Sequence, residues 1–170
     1  MDIAEVILSD HHEQRRLFAL LDEMHDCRPE ELDAVWNRLR ILLEVHAKAE
    51  EELFYPALLD LGRGAGGKDS AGDETTDAIH DHNEIRDAVA EVTGHASGTA
   101  QWWAAVAKTN EVNGDHMAEE EREGLADFRQ HAPLDLRHRL GLAFSIFESA
   151  HASGIKARDV SPAEYVDKNQ

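Results

Sequence analysis

The segment from Val45 to Pro56 constrains the fold of this chain more than any other. Apolar residues around it recur at helical spacing, and a histidine interrupts them. The positions on this face are Leu39, Leu42, His46, Leu53 and Ala57. Glu50 follows His46 by one helical turn and lies on the same face. A buried imidazole and a buried carboxylate are costly without partners, and a metal ion is a partner that satisfies both. The segment therefore predicts a helix that carries part of a metal site.

Composition indicates an all-α protein that forms one domain. The 170 residues are 42% apolar and 31% charged, which suits a globular chain with a sizeable core. Aromatic residues are sparse, whereas the helix-forming residues Glu, Ala, Leu and Arg are abundant.

Apolar periodicity, prolines and glycines divide the chain into helices. The predicted helices span residues 2–25, 30–61, 73–94, 99–130 and 134–153, with a short final helix near residue 161. We expect Pro56 to kink the second helix late along its length. The first four helices predict an antiparallel up-down-up-down four-helix bundle over residues 1–130. Residues 131–170 are expected to form an additional helix and a polar tail, packed on the bundle or extending from it.

The glycine-rich connection from Gly62 to Gly72 contains two misleading motifs. Residues 62–67 formally match a dinucleotide fingerprint, and residues 62–69 come within one residue of a phosphate-binding loop. Both motifs require a preceding β-strand, but here a predicted helix precedes them. A flexible linker is the better interpretation.

Each of the four bundle helices carries a histidine on its inner face, and two of these are followed at i+4 by a glutamate. The predicted metal-ligating residues are His11, His46, Glu50, His82, His116 and Glu120. Imidazole and carboxylate ligands without thiolate suit iron, manganese or zinc. Six ligands exceed one tetrahedral zinc site, so the set predicts two metal ions bridged by the glutamates and a solvent-derived oxo or hydroxo group.

Other residues compete for these roles. His80 and Glu84 also have the spacing of a metal pair, but their helix face is polar, which favours a solvated surface. His12 lies about 100° around the helix from His11. In regular helical geometry Phe54 faces the ligands, whereas Tyr55 points elsewhere.

These motifs together resemble the haemerythrin-like (HHE cation-binding) domain over roughly residues 1–130. The motifs that carry the resemblance are Asp10-His11, His46-x-x-x-Glu50-Glu-x-x-x-Tyr-Pro56, Asp81-His82-x-x-Ile85 and His116-x-x-x-Glu120-Glu121. The resemblance implies a four-helix bundle with a non-haem di-iron centre. Members of this family bind O₂ reversibly, sense oxygen or iron, or act on peroxide or nitric oxide.

The sequence departs from the O₂-carrying members of the family in one ligand. Those members have a second histidine four residues from the ligand of the third helix, but Ala78 and Arg86 stand at these positions here. One iron is therefore expected to lack an imidazole, which favours peroxide decomposition over O₂ storage. The O₂-carrying pattern also has a five-residue spacing on the fourth helix, so Glu121 competes with Glu120. We favour Glu120, because a residue at i+4 stacks better on His116.

Charge and targeting signals limit the partners of the chain. The net charge of −18 argues against nucleic acid and against anionic membrane surfaces. The single cysteine, Cys27, and the absence of a signal-peptide pattern predict a cytoplasmic protein. The expected partner is a small diatomic or peroxide ligand. An iron or oxygen sensor or storage protein without turnover stays open, as does a purely structural bundle, in which His46→Ala would be neutral or stabilising.

Overall fold

The computed structural model describes residues 1–156 and 158–170, and most of this part of the chain is helical. The α-helices are α1 (Ile3–Asp22), α2 (Pro29–Ala49), α3 (Tyr55–Leu61), α4 (Ala71–Thr93), α5 (Ala100–Arg122), α6 (Gly124–His131), α7 (Leu134–Ala150) and α8 (Pro162–Asn169). A π-helical segment, Glu50–Phe54, joins α2 to α3. The helices α1, α2, α4 and α5 with their extensions form the predicted up-down-up-down bundle, so the all-α fold class is confirmed.

The core of the bundle consists of two apolar clusters with buried polar side chains between them. Along α1, Ile3 and Ile7 belong to one cluster, Leu17 and Leu21 belong to the other, and His11 lies between the two. In the other bundle helices with their extensions, the histidine likewise lies between residues of the two clusters, in reversed order along α2 and α5. The two apolar clusters therefore shield the layer of polar side chains between them, the polar level of the bundle, from solvent.

The second predicted helix, residues 30–61, is interrupted by the π-helical segment Glu50–Phe54 rather than simply kinked at Pro56. Across the π-helical segment the Tyr55 N–H donates to the carbonyl of Glu50, five residues earlier. The next π-helical hydrogen bond would run from the N–H of residue 56 to the carbonyl of Glu51. Pro56 has no N–H, so this bond cannot form. The Tyr165 hydroxyl of α8 donates to this Glu51 carbonyl instead.

The fourth predicted helix, residues 99–130, is also broken. Glu123 leaves the helical region, with φ −107° and ψ −92°, and separates α5 from α6. Gly124 follows it, where an added Cβ would lie 3.2 Å from the side chain of Leu58. The break therefore lets α6 pack closely against α3.

The glycine-rich connection is anchored to the bundle, which corrects its interpretation as a flexible linker. Asp127 of α6 accepts hydrogen bonds from the N–H groups of Arg63 and Gly64, at 2.6 and 2.8 Å. Glu74 of α4 accepts one from Ala65, at 2.6 Å. Two carboxylates thus replace the secondary-structure partners that these backbone donors lack.

The C-terminal helices both pack on the bundle. α7 lies against α1 and α2, and α8 lies against α4. The division of the chain at residue 130 stays a prediction. Among the described residues, every helix is too short or too polar to cross a membrane.

Candidate metal centre

Four histidines lie at the polar level between the two apolar clusters. They are His11 on α1, His46 on α2, His82 on α4 and His116 on α5. Each is at most 3% exposed, and its Nε2 atom is buried without a hydrogen-bond partner. The ring centroids of His11 and His46 are 5.2 Å apart, and those of His82 and His116 are 4.7 Å apart. The histidines therefore form two pairs.

The carboxylate of Glu50 lies between these two pairs. Its Oε1 atom is 2.9 Å from Nε2 of His46, and its Oε2 atom is 3.2 Å from Nε2 of His82. The side chain is fully buried, and neither oxygen accepts a hydrogen bond of regular geometry. One carboxylate therefore faces both pairs at once.

The carboxylate of Glu120 faces only one pair. Its Oε2 atom is 3.3 Å from Nε2 of His11 and has no hydrogen-bond partner. Its Oε1 atom accepts a hydrogen bond of 2.6 Å from the Tyr55 hydroxyl. Tyr55 therefore faces the centre, contrary to the geometry of a regular helix. The π-helical segment inserts about one residue per turn before Tyr55 and so rotates it towards Glu120.

The atoms that could hold a metal ion fall into two groups that share Glu50. Within each group, one ligand atom from each residue lies within 4.8 Å of all the others. The groups are His11, His46, Glu50 and Glu120 in the first, and Glu50, His82 and His116 in the second. Within the described chain Glu120 joins only the first group, although the sequence predicted it as a second bridge.

Each histidine also pairs its outer nitrogen, Nδ1, with a carboxylate. The Nδ1–oxygen distances are 2.9 Å for His11–Glu121, 2.9 Å for His46–Asp10, 3.2 Å for His82–Glu51 and 3.4 Å for His116–Asp81. A carboxylate only accepts, so the proton stays on Nδ1 and the lone pair of the neutral imidazole stays on the inner Nε2. This arrangement orients metal-binding histidines and raises their basicity.

Sequence reasoning did not assign these outer carboxylates, although the chain carries a signal for them. Each one directly neighbours a predicted ligand but serves the histidine of a different helix. Asp10 precedes His11 yet contacts His46, and Asp81 precedes His82 yet contacts His116. Adjacent residues point about 100° apart on a helix, so the neighbour of a ligand reaches the next helix of the bundle.

The electrostatics of the centre favour bound cations. Burial alone lowers the pKa of His82, but the carboxylates of Glu50 and Glu51 outweigh burial and raise it to about 9. Burial raises the pKa of Glu51, but His82 and Arg86 bring it to about 2. The carboxylates thus favour positive charge at His82 in the metal-free centre, and a metal ion would take the place of this proton.

Arg86 stands at one of the two positions where the O₂-carrying pattern was expected to have a second histidine on this helix. Its guanidinium group forms an ion pair with the carboxylate of Glu51, which in turn contacts His82. Ala78, at the other candidate position, is an apolar residue packed in the core. At the position where a second histidine ligand was expected in the O₂ carriers, the arginine of this chain thus contacts Glu51.

The helix α7 covers one side of the centre. Phe144 is fully buried, and its ring centroid lies 5.8 Å from that of His46. Burial, followed by the nearby carboxylate of Asp10, raises the pKa of Glu148 on the same helix to about 8. Residues of α7, outside the four-helix bundle, therefore form part of the wall around the centre.

The competing residues lie outside the two groups. His80 and Glu84 are 3.6 Å apart but are both more than half exposed. His12 is exposed, and Glu121 contacts the outer nitrogen of His11 rather than its inner one. The structure thus brings together the six predicted residues, whose role as metal ligands stays a prediction.

The residues present fit a metal centre because their inner atoms lack any other partner. Seven inner atoms are buried and have no hydrogen-bond partner in the part of the chain that the structure describes: Nε2 of His11, His46, His82 and His116, both carboxylate oxygens of Glu50, and Oε2 of Glu120. Unpaired buried polar atoms are rare in folded proteins and destabilise them. Imidazole nitrogens and carboxylate oxygens are ligands for divalent transition metals.

These features define a helical-bundle protein with a buried histidine–carboxylate centre. The family model of the hemerythrin HHE cation binding domain matches residues 2–126, and the chain belongs to this family. Its two histidine–glutamate groups are the candidate sites for the cations of such a domain.

One solved structure shares the whole fold of the chain. It is the hemerythrin HHE cation binding domain-containing protein of Mycobacterium kansasii. The likeness covers 100% of this chain and 99% of that chain, with a TM-score of 0.68 and 16% sequence identity. At this identity the likeness shows the fold alone. The search of curated proteins found no match.

Proposed function

We propose that this chain is a non-haem di-iron protein that reacts with or binds O₂, peroxide or nitric oxide, with the decomposition of hydrogen peroxide favoured. The observation that carries this proposal is the pair of groups that share the unpaired carboxylate of Glu50. A shared carboxylate suits two ions side by side. Two such iron ions would supply redox chemistry towards a small oxidant, and the protein supplies the ligand geometry and a dry pocket.

The unequal ligand number of the two groups supports reactivity over simple storage. The group with His82 and His116 has three protein residues, whereas the group with His11 and His46 has four. One oxygen of Glu120 is engaged by the Tyr55 hydroxyl. Fewer protein ligands leave more room for an exogenous small molecule at that position.

The partners proposed for this centre are small. The two apolar clusters and α7 enclose it, which suits a diatomic molecule or a peroxide. The net charge of −18 supports our inference that the protein binds neither nucleic acid nor membranes. The exposed thiol of Cys27 suits a reducing, cytoplasmic location.

Oxygen release from hydrogen peroxide by the iron-loaded protein tests this function. We expect sustained dismutation of peroxide to water and O₂ in the wild type and its loss in His82→Ala. The matched control is His80→Ala, which removes an exposed histidine from the same helix and should retain turnover. Reversible O₂ binding without any O₂ release from peroxide would exclude the favoured reaction.

A sensor or storage protein without turnover is the second candidate, and one contact favours it. The Tyr165 hydroxyl of α8 donates to the carbonyl of Glu51, within the π-helical segment that also carries Glu50. Metal binding at Glu50 would therefore be linked to the docking of the C-terminal helix. Metal-dependent protection of residues 131–170 from proteases, abolished in Tyr165→Phe and without peroxide turnover, would support this candidate.

A further inference from the structure

A small cavity borders the centre on the side of α4 and α5. It has a volume of about 10 Å³, close to the space that one water-sized sphere occupies. Its inner wall contains His116, Glu120 and Tyr55. Its outer wall contains Asp77 and Glu119, which are partly exposed. The cavity thus lies between the surface and the second histidine pair.

Acidic side chains dominate the wall of this cavity. They are Glu74, Asp77, Asp81, Glu119, Glu120 and Glu123. Carboxylate oxygens bind hard and borderline divalent cations, and a wall of one charge sign concentrates the opposite ions. The chemistry of the wall therefore suits a small cation rather than an anion or an apolar molecule.

One buried carboxylate oxygen in this wall accepts no hydrogen bond from the described residues. It is Oε2 of Glu74, a side chain that is only 4% exposed. Its Oε1 atom accepts the N–H of Ala65. At the inner end, Nε2 of His116 and Oε2 of Glu120 are also unpaired. Residues that carry unpaired acceptor atoms therefore line the cavity at both ends.

A lysine of the glycine-rich connection lies across the outer carboxylates. The Lys68 ammonium group pairs with Asp77 and lies 3.9 Å from the carboxylate of Glu123. Gly66, two residues earlier, has φ +62°, and an added Cβ there would lie 2.5 Å from the side chain of Glu123. Glycine thus permits the close approach of this connection to Glu123, one of the two carboxylates that Lys68 faces.

We propose that this cavity is the loading route by which a divalent cation reaches the centre after it releases its hydration shell at the outer carboxylates, and that Lys68 is the internal cation it displaces. Asp77 and Glu119 attract the incoming ion, and Glu74 contacts it before it reaches His116. The inference rests on the proposed metal centre and adds the path and the residues that serve it.

A second acidic groove provides a comparison within the same molecule. It lies between α1 and α7 and includes Glu5, Asp10 and Glu148, with a volume of about 330 Å³. Its wall contains none of the six predicted ligands. Phe144 of α7 packs against His46 on that side of the centre. The α4–α5 cavity is therefore the more direct path.

The rate of metal uptake tests the proposal, with Co²⁺ mixed rapidly into the full-length apoprotein and followed by visible absorption. We expect Asp77→Asn/Glu119→Gln to load on the order of tenfold more slowly than the wild type at low salt. The final metal content should stay the same. Lys68→Met should load faster, since the competing ammonium group is gone.

The double variant Glu5→Gln/Glu148→Gln is the control, because it replaces two carboxyl groups of the other groove by neutral amides. Normal uptake by this control supports the α4–α5 route. Equal rates in all variants, or slow uptake in the control alone, would overturn it. If the wild type takes up no metal at all, the proposed centre itself fails. Thermal midpoints of all variants identify any rate change that comes from misfolding.

Discussion

Asp10 of α1 accepts a hydrogen bond of 2.9 Å from Nδ1 of His46 on α2. The contact joins two helices at the level of the centre and leaves Nε2 of His46 free to bind an ion. Asp10 is only half-buried, yet its position decides which nitrogen of a fully buried ring carries the proton.

The first prediction concerns this outer carboxylate. Asp10→Asn should weaken metal binding by roughly 10- to 100-fold, because a neutral amide no longer raises the basicity of the imidazole. The fold should be retained, since the amide oxygen can still accept the hydrogen bond. A competition titration with a chelator of known affinity measures the change. Asp87→Asn, at an exposed position of α4, removes the same charge and should leave the affinity unaltered.

The second prediction concerns pH and Glu74. Burial, with the nearby carboxylates of Asp127 and Glu123, raises the pKa of Glu74 to about 7. The folded state then binds its proton more tightly than the unfolded state, so the stability of the protein falls as pH rises from about 4.5 to 7.

Replacing this carboxylate by its neutral isostere should remove that loss of stability. Glu74→Gln should be more stable than the wild type at pH 8, by about 1 kcal/mol after allowance for solvent screening. The difference should shrink towards pH 5. Urea unfolding of the apoprotein at both pH values measures it. A gain of the same size at both pH values would show that Glu74 is ionised throughout.

The third prediction compares two glycines in helix interiors. Gly141 of α7 approaches α1 so closely that an added Cβ would lie 2.9 Å from the backbone nitrogen of Ile3. Gly114 of α5 has open space at the same position. Gly141→Ala should therefore destabilise the protein by about 1–3 kcal/mol, whereas Gly114→Ala should stabilise it by about 0.5–1 kcal/mol. Thermal unfolding of the two variants decides, and a stabilised Gly141→Ala would mean that α7 does not dock closely on α1.

Helical periodicity was sufficient to predict the bundle and to bring together its six polar core residues. A histidine on an otherwise apolar face is a strong signal, because burial of its ring requires a partner. His11 and His82 could be placed on inner faces in this way from local spacing alone. The outer carboxylates follow from the same geometry, once the neighbour of each ligand is taken to face the adjacent helix.

The orientation of Tyr55 and the separate role of Glu120 could not be predicted in this way. Both depend on the π-helical segment, whose extra residue shifts every later side chain around the helix axis. Pro56 is a local signal for an interruption, but the partner of the unpaired Glu51 carbonyl is Tyr165, more than 100 residues away. A pattern confined to one helix does not contain that contact.

The metal content of the purified protein after anaerobic reconstitution with Fe²⁺ tests the central claim most directly. The wild type should hold two iron ions per chain by elemental analysis, since Glu50 is shared by two groups of ligands. Glu50→Ala should hold fewer than one, because both groups lose the same carboxylate. A wild type with one iron or none, or a Glu50→Ala variant that still holds two, would contradict the account.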